Sequence, residues 1–293
     1  MTGRLNFVGA FLSISVAATI AEGIVEQDQI ALPIIFAGLL GAIGFNLTTW
    51  YLGLPSSSSH ALIGGMVGAM LAAVGTGGVK WSGIVEKVLI PGVFAVLIAG
   101  AVAVIGTKVA YLFLRNVGSD TATRGYRLGQ IGSASLVSLG HGTNDAQKSM
   151  GIIVLALAAN GNLSAGNFTV PLWVKIGCAT AIALGTFMGG WRIIGTLGKK
   201  VAGDITPPQG FSAEASGATL ILGSSYFGYP LSTTQVVSGA VVGSGIGRGG
   251  SETTGASPVA WVSRGSSPSP ARERSPPAPT GSSRCSATRP DRS

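Results

Sequence analysis

Charge is scarce in this chain. Only 10% of its 293 residues are Asp, Glu, Lys or Arg while 46% are hydrophobic, against the roughly 25% charged share of an ordinary soluble domain. That balance excludes a solvated globular protein and predicts a polytopic membrane protein. Cysteine is nearly absent: Cys178 sits in an apolar run and Cys285 near the end. Neither a disulfide framework nor a metal-ligand spacing can be built from them, and no resident metal or other cofactor is expected. A cleavable leader is missing too, since Met1 to Arg4 runs straight into apolar sequence without a small-residue cleavage site. The net charge of +8 comes from cations in short loops and the tail, so it speaks for membrane orientation and not for nucleic acid as a partner. Glycine is abundant instead, at 46 residues, about double its usual share. Close helix contacts in lipid call for such an excess.

Taken in order, Leu5 to Val25 is apolar apart from Glu22 and long enough for a first span. Leu32 to Leu52 is a second apolar stretch, ending in the run Leu-Pro-Ser-Ser-Ser-Ser-His. Pro55 and four serines stop a helix there, and Ala61 to Val74 resumes as a half-helix too short to span. Val88 to Leu114 is a long span with Pro91 inside it. Pro171 to Gly190 is another span, and Trp191 to Val201 a short amphipathic piece. The basic loop after Leu114 and the cations near Lys199 and Lys200 favour the cytoplasmic side. Four regions follow: 1–115 and 131–247 as two transmembrane repeats, 116–130 as a basic loop, and 248–293 as a disordered Ser/Pro/Arg-rich tail.

Between two apolar runs lies His141 to Gly151, which reads His-Gly-Thr-Asn-Asp-Ala-Gln-Lys-Ser-Met-Gly. Asp145 and Lys148 cost roughly 2.5–3.5 kcal/mol each at bilayer depth, so a chain that keeps them there uses them. On a helix they share a face. Gly140, Gly142 and the Thr-Asn pair are expected to break the helix just before that face and to free backbone N–H groups for an anion. The bland alternative is an ion pair that only fixes helix packing.

An internal repeat supports the first reading. Leu54 to Gly68 aligns with Tyr229 to Gly243 at a constant offset of 175 residues, pairing Pro55 with Pro230, Ser57 with Ser232, Ser58 and Ser59 with Thr233 and Thr234, and His60 with Gln235. A shorter pair, Gly9 to Leu12 with Gly185 to Met188, is offset by 176. Paired, interrupted apolar segments in two related halves point to a transporter site between them at the bilayer midplane. The hydroxyl clusters Ser56 to Ser59 and Ser232 to Thr234, each at a helix start, suit a tetrahedral oxyanion, unless they merely cap half-helices. Since His60 has Gln235 as its counterpart, hydrogen bonding fits both better than a proton relay does.

Gly142 to Gly151, together with Leu-Pro-Ser-Ser-Ser-Ser-His and Tyr-Pro-Leu-Ser-Thr-Thr-Gln, resembles the inorganic phosphate transporter (PiT) family over about Leu5 to Gly247. The resemblance implies an all-α polytopic membrane protein with inverted repeats and broken half-helices, multi-pass in the bacterial inner (cell) membrane. It also implies symport of phosphate, free or as a metal-phosphate complex, with protons or sodium. Asn144, Asp145, Gln147, Ser57, Ser58, Ser232, Thr233, Thr234 and Gln235 fall on the family's phosphate and coupling-ion motifs. On this reading Ser57, Ser58, Ser59, Thr143, Asn144, Gln147, Lys148, Ser232, Thr233, Thr234 and Gln235 hold the substrate, Lys148 offsetting its charge, while Asp145 and Asn144 hold the coupling ion. Partners are then phosphate and membrane lipid, with a homo-oligomer left open.

Two departures stand against the family pattern. The repeat offset places the family's first Asn-Asp motif before Met1, and from about Gly249 the composition resembles a GC-rich gene read out of frame. The chain as written is therefore expected not to transport unaided, which leaves a non-transporting fragment as one alternative. Sulfate is another, although an aspartate can accept a proton from phosphate and not from sulfate. An intramembrane hydrolase using His141 and Asp145 as acid and base explains neither the repeat nor the hydroxyls, and Gly-x-Ser-x-Gly is absent. No enzymatic activity is expected.

Overall fold

The computed structural model describes residues 1–114, 119–163, 168–190 and 205–249, with only the backbone given for 119–123. These are helical almost throughout, and no strand occurs among the described residues beyond one bridge between Val25 and Val79. Among the described residues nine main helices are α1 Thr2–Gly9, α2 Ser15–Gly23, α3 Leu32–Leu52, α4 Ser58–Ala73, α5 Trp81–Leu114, α6 Ser119–Ala159, α7 Leu172–Met188, α8 Pro207–Tyr226 and α9 Thr233–Gly247. The all-α class expected of the sequence is what is found.

Local chemistry sets the ends. Pro33 sits in the first turn of α3, where a missing N–H costs nothing, and Gly53 closes the helix at φ 68, a left-handed conformation glycine adopts freely. Thr206 opens α8, with its backbone N–H bonded to Gln209 Oε1 at 3.0 Å and two prolines behind it. A π-turn at Val85–Leu89 is absorbed within α5.

The repeat reappears at the helix starts: α8 begins 175 residues after α3, and α9 begins 175 residues after α4. Helices α3 and α4 pack together as α8 and α9 do, and α1 packs on α7, joined by Asn6 Nδ2 donating to Thr186 Oγ1 at 2.7 Å. Through the middle runs α6, 41 residues long and so roughly 60 Å, against α1, α2, α7 and α8.

Two helices, Leu32–Leu52 and Trp81–Leu114, are long and apolar enough to cross a membrane. Both turn large apolar side chains outward, among them Phe36, Leu40, Leu97 and Ile105, each more than half exposed. A lipid-facing surface accounts for a belt of that kind.

Three expectations are corrected. Leu5 to Val25 is not one span, because the chain breaks between α1 and α2. Within the basic loop expected at 116–130, the residues from Ser119 onward are helical and belong to α6. Nor does α6 break at Gly140 to Asn144, where it is continuous. The glycines there serve contact. A side chain at Gly142 would collide with the Asn6 backbone, and one at Gly9 with the Leu139 carbonyl, so α1 and α6 cross backbone to backbone. Trp191 to Val201 and the tail from residue 250 lie outside the described residues.

Candidate functional site

The site is built where the two repeat-related half-helices start. Ser57 precedes α4, and its Oγ accepts from the backbone N–H of His60 at 3.1 Å. Ser232 does the same ahead of α9, accepting from Gln235 N at 3.3 Å. Caps of this kind satisfy one of the free N–H groups of a first turn, leaving the others and the helix dipole facing outward. Both stand in the extended backbone that precedes the helix, as the proline-serine runs require.

Between these helix starts lies the Asp145–Lys148 pair of α6. Lys148 is 3% exposed and Asp145 12%. The ammonium donates to Asp145 Oδ1 at 2.5 Å, to Ser59 Oγ of α4 at 2.5 Å and to the Leu231 carbonyl at 2.6 Å. Asp145 Oδ2 accepts from Thr233 Oγ1 of α9 at 3.1 Å and meets His141 Nε2 at 2.9 Å. The two half-helices thus join through one buried ion pair. Ser59 also reaches the Leu231 carbonyl directly, at 3.3 Å.

Beside this cluster opens a cavity of ≈ 490 Å³. Ser58, His141, Asp145 and Ser149 form its polar side, and Trp173, Cys178 and Ile182 of α7 are among the residues of its apolar wall. Ser58 faces this space while its neighbour Ser59 is buried. An oxyanion there would meet hydroxyls, an imidazole and the start of α4, with the adjacent carboxylate neutralised by Lys148.

Several predicted ligands point elsewhere. Thr143 Oγ1 donates to the Gly9 and Leu139 carbonyls at 2.9 and 2.8 Å, which locks the α1–α6 crossing. Gln147 Oε1 accepts from Val16 N at 2.8 Å and Ala17 N at 3.3 Å. It caps α2 from 131 residues away. Lys148 is occupied by three protein oxygens and does not stand free for an anion. Ser57 and Ser232 are caps, Gln235 is exposed and Thr234 half-buried. Asn144 is fully buried and donates to Ser225 Oγ at 2.9 Å and the Tyr229 carbonyl at 3.3 Å. Its Oδ1 has no hydrogen-bond partner among the described residues, as suits a cation ligand.

Sequence reasoning missed three contributors. His141 entered only as half of a rejected acid-base pair, although its spacing of four from Asp145 already announced the contact. Ser149, one residue after Lys148, could have been found from its place in the motif. The Leu231 carbonyl had no side-chain signal at all.

Residues 1–265 match the PHO4 phosphate transporter family, which carries the likeness past Gly247. The chain is 56% identical over 266 residues to a "probable low-affinity inorganic phosphate transporter" of Mycobacterium bovis, covering 89% of this chain and 64% of that protein. It therefore spans less than two thirds of the length of that relative. Proteins of the same description from Rhizobium meliloti and Bacillus subtilis are 44% and 42% identical, covering 88% and 82% of this chain and 78% and 72% of theirs. A solved structure described as "The sodium-dependent phosphate transporter" superposes with a TM-score of 0.69 at 26% identity, over 85% of this chain and 80% of that one.

Proposed function

The chain belongs to the phosphate transporter family, and from that premise we propose that it moves inorganic phosphate across the bacterial cytoplasmic membrane by symport with protons or sodium. The observation that carries this reading is the convergence of the α4 and α9 starts on the buried Asp145–Lys148 pair. A substrate site shared by two repeats belongs at the midplane, where both can act on it as they move. Ser58, His141 and Ser149 line the cavity and hold the phosphate oxygens, with the first turn of α4 supplying N–H groups. From the other half, Thr233 at the start of α9 steadies Asp145. Asp145 and Asn144 form the coupling-ion site. Thr143 and Gln147 hold α1 and α2 in place and shape the site without touching substrate.

The test is radiolabelled phosphate uptake in a host lacking its own phosphate transporters. Saturable uptake that a large excess of sulfate leaves intact is the expected result. Uptake displaced by sulfate would transfer the assignment to sulfate, and no uptake above the empty host, by this chain or by a version completed to the length of its relatives, would sink the transport reading.

A further inference from the structure

The surroundings of Lys148 are those of a bound ion. Its Nζ has three oxygens within 2.5–2.6 Å: a carboxylate from Asp145, a hydroxyl from Ser59 and the main-chain carbonyl of Leu231. An ammonium has three N–H groups, and here each finds one oxygen. The oxygens come from three segments: α6, the first turn of α4, and the unwound backbone just ahead of α9. One carries a formal charge. A carboxylate, a hydroxyl and an unwound carbonyl at the junction of two half-helices are the donors by which transporters coordinate a monovalent cation. With the side chain 3% exposed, water has little access to the ammonium.

We propose that Lys148 is a tethered cation: its ammonium fills a monovalent-cation seat made by Asp145, Ser59 and the Leu231 carbonyl, and holds the two half-helices together without sodium. The covalent tether makes occupancy permanent at any sodium concentration, so this seat contributes no sodium dependence. Removing the ammonium leaves one buried carboxylate and two neutral oxygens facing each other, and a small cation then enters. An ion pair retained only for packing makes no such demand, since its gap after truncation would be indifferent to the salt present. Other titratable groups nearby are His141, bonded to Asp145 Oδ2, and His60, whose Nδ1 lies 2.7 Å from Ser57 Oγ. Neither contacts the three oxygens as Lys148 does.

The inference rests on the transport reading only for its consequence, and its test uses no phosphate. Thermal unfolding of the purified full chain is compared in sodium chloride and in choline chloride at equal ionic strength. The wild-type difference between the two salts is the baseline, since sodium bound at the Asp145–Asn144 coupling site also contributes to it. Lys148→Ala should exceed that baseline by about 3 °C or more in sodium, once sodium stands roughly tenfold above its dissociation constant. The double variant Asp145→Asn/Lys148→Ala should lose that response. Should Lys148→Ala fail to fold in choline, purification in sodium decides the matter: recovery there supports the seat, and failure in both salts, with a folded Lys148→Met variant indifferent to sodium, overturns it. A folded Lys148→Ala chain whose sodium response is no larger than the wild-type one overturns it as well. If phosphate uptake is absent in every variant while the sodium response appears in Lys148→Ala, the transport reading fails and the tethered cation stands.

Discussion

Asp145 holds the site together because its two oxygens meet three partners on two helices: Lys148 and His141 of α6 and Thr233 of α9. Asp145→Asn keeps the shape and removes the charge, so coupled phosphate uptake should be abolished while the protein still reaches the membrane. Accumulation with unchanged pH and sodium dependence would remove Asp145 from the coupling site. Ser58→Ala should weaken phosphate binding by about ten-fold or more, since a hydrogen bond to a charged group contributes roughly 1.5–3 kcal/mol. Equilibrium binding to purified protein checks this, and unchanged affinity would leave Ser58 as a helix-start residue only. Gln147 separates a structural role from a ligand role. Its oxygen caps α2, so Gln147→Ala should cost about 1 kcal/mol of stability, seen as a lowered melting temperature, and Gln147→Glu, which keeps the acceptor, should cost less. A large affinity loss at unchanged stability would return Gln147 to the substrate.

At the scale of elements, small residues decide how near two helices lie. The α5–α9 interface puts Val96, Gly100 and Val104 opposite Gly239, Gly243 and Gly247, with Ala95, Ala99 and Ala103 buried on the same helix. A Cβ at Gly239 would come within 2.8 Å of the Val96 carbonyl oxygen, and one at Gly247 within 2.7 Å of that of Val104. Gly239→Val should therefore force the helices apart at about 1–3 kcal/mol, with lower melting in detergent. Gly44→Ala, on α3 where an added Cβ meets nothing, should be neutral or stabilising by up to about 1 kcal/mol through helix propensity. Similar losses at both positions would mean that glycine matters here for its backbone freedom and not for close approach.

For the molecule as a whole, the consequence of the geometry is coupling between halves. Ser59 on α4 and Thr233 on α9 belong to different halves, yet both hold the same ion pair. Ser59→Ala and Thr233→Ala should then be non-additive in stability by roughly 0.5 kcal/mol or more, as for residues sharing one network. Strict additivity in a double-mutant cycle would show that the halves are joined elsewhere, for instance through Asn6 and Thr186.

Periodicity and composition alone determined that this chain is helical and apolar, where α3 begins and ends, and that two half-helices start 175 residues apart. Those features follow from local rules: proline and serine stop or cap a helix wherever they fall, and hydropathy is additive along a chain. The family was legible for the same reason, since the motifs that carry it are contiguous. What each polar side chain touches was not. Thr143 and Gln147 carry the hydroxyl and amide that suit a phosphate, and only the arrival of α1 and α2 from more than a hundred residues away turned them to backbone groups instead. Glycines at 140 and 142 look like breaks in a sequence, because glycine lowers helix propensity. In the folded protein the Ile221 and Leu222 side chains at Gly140 and the Asn6 backbone at Gly142 occupy the space their missing side chains leave, and that packing outweighs the local preference. Lys148 posed the same problem, because whether an ammonium meets an anion or three protein oxygens depends on the carbonyl of Leu231, a group every residue carries and no sequence can mark.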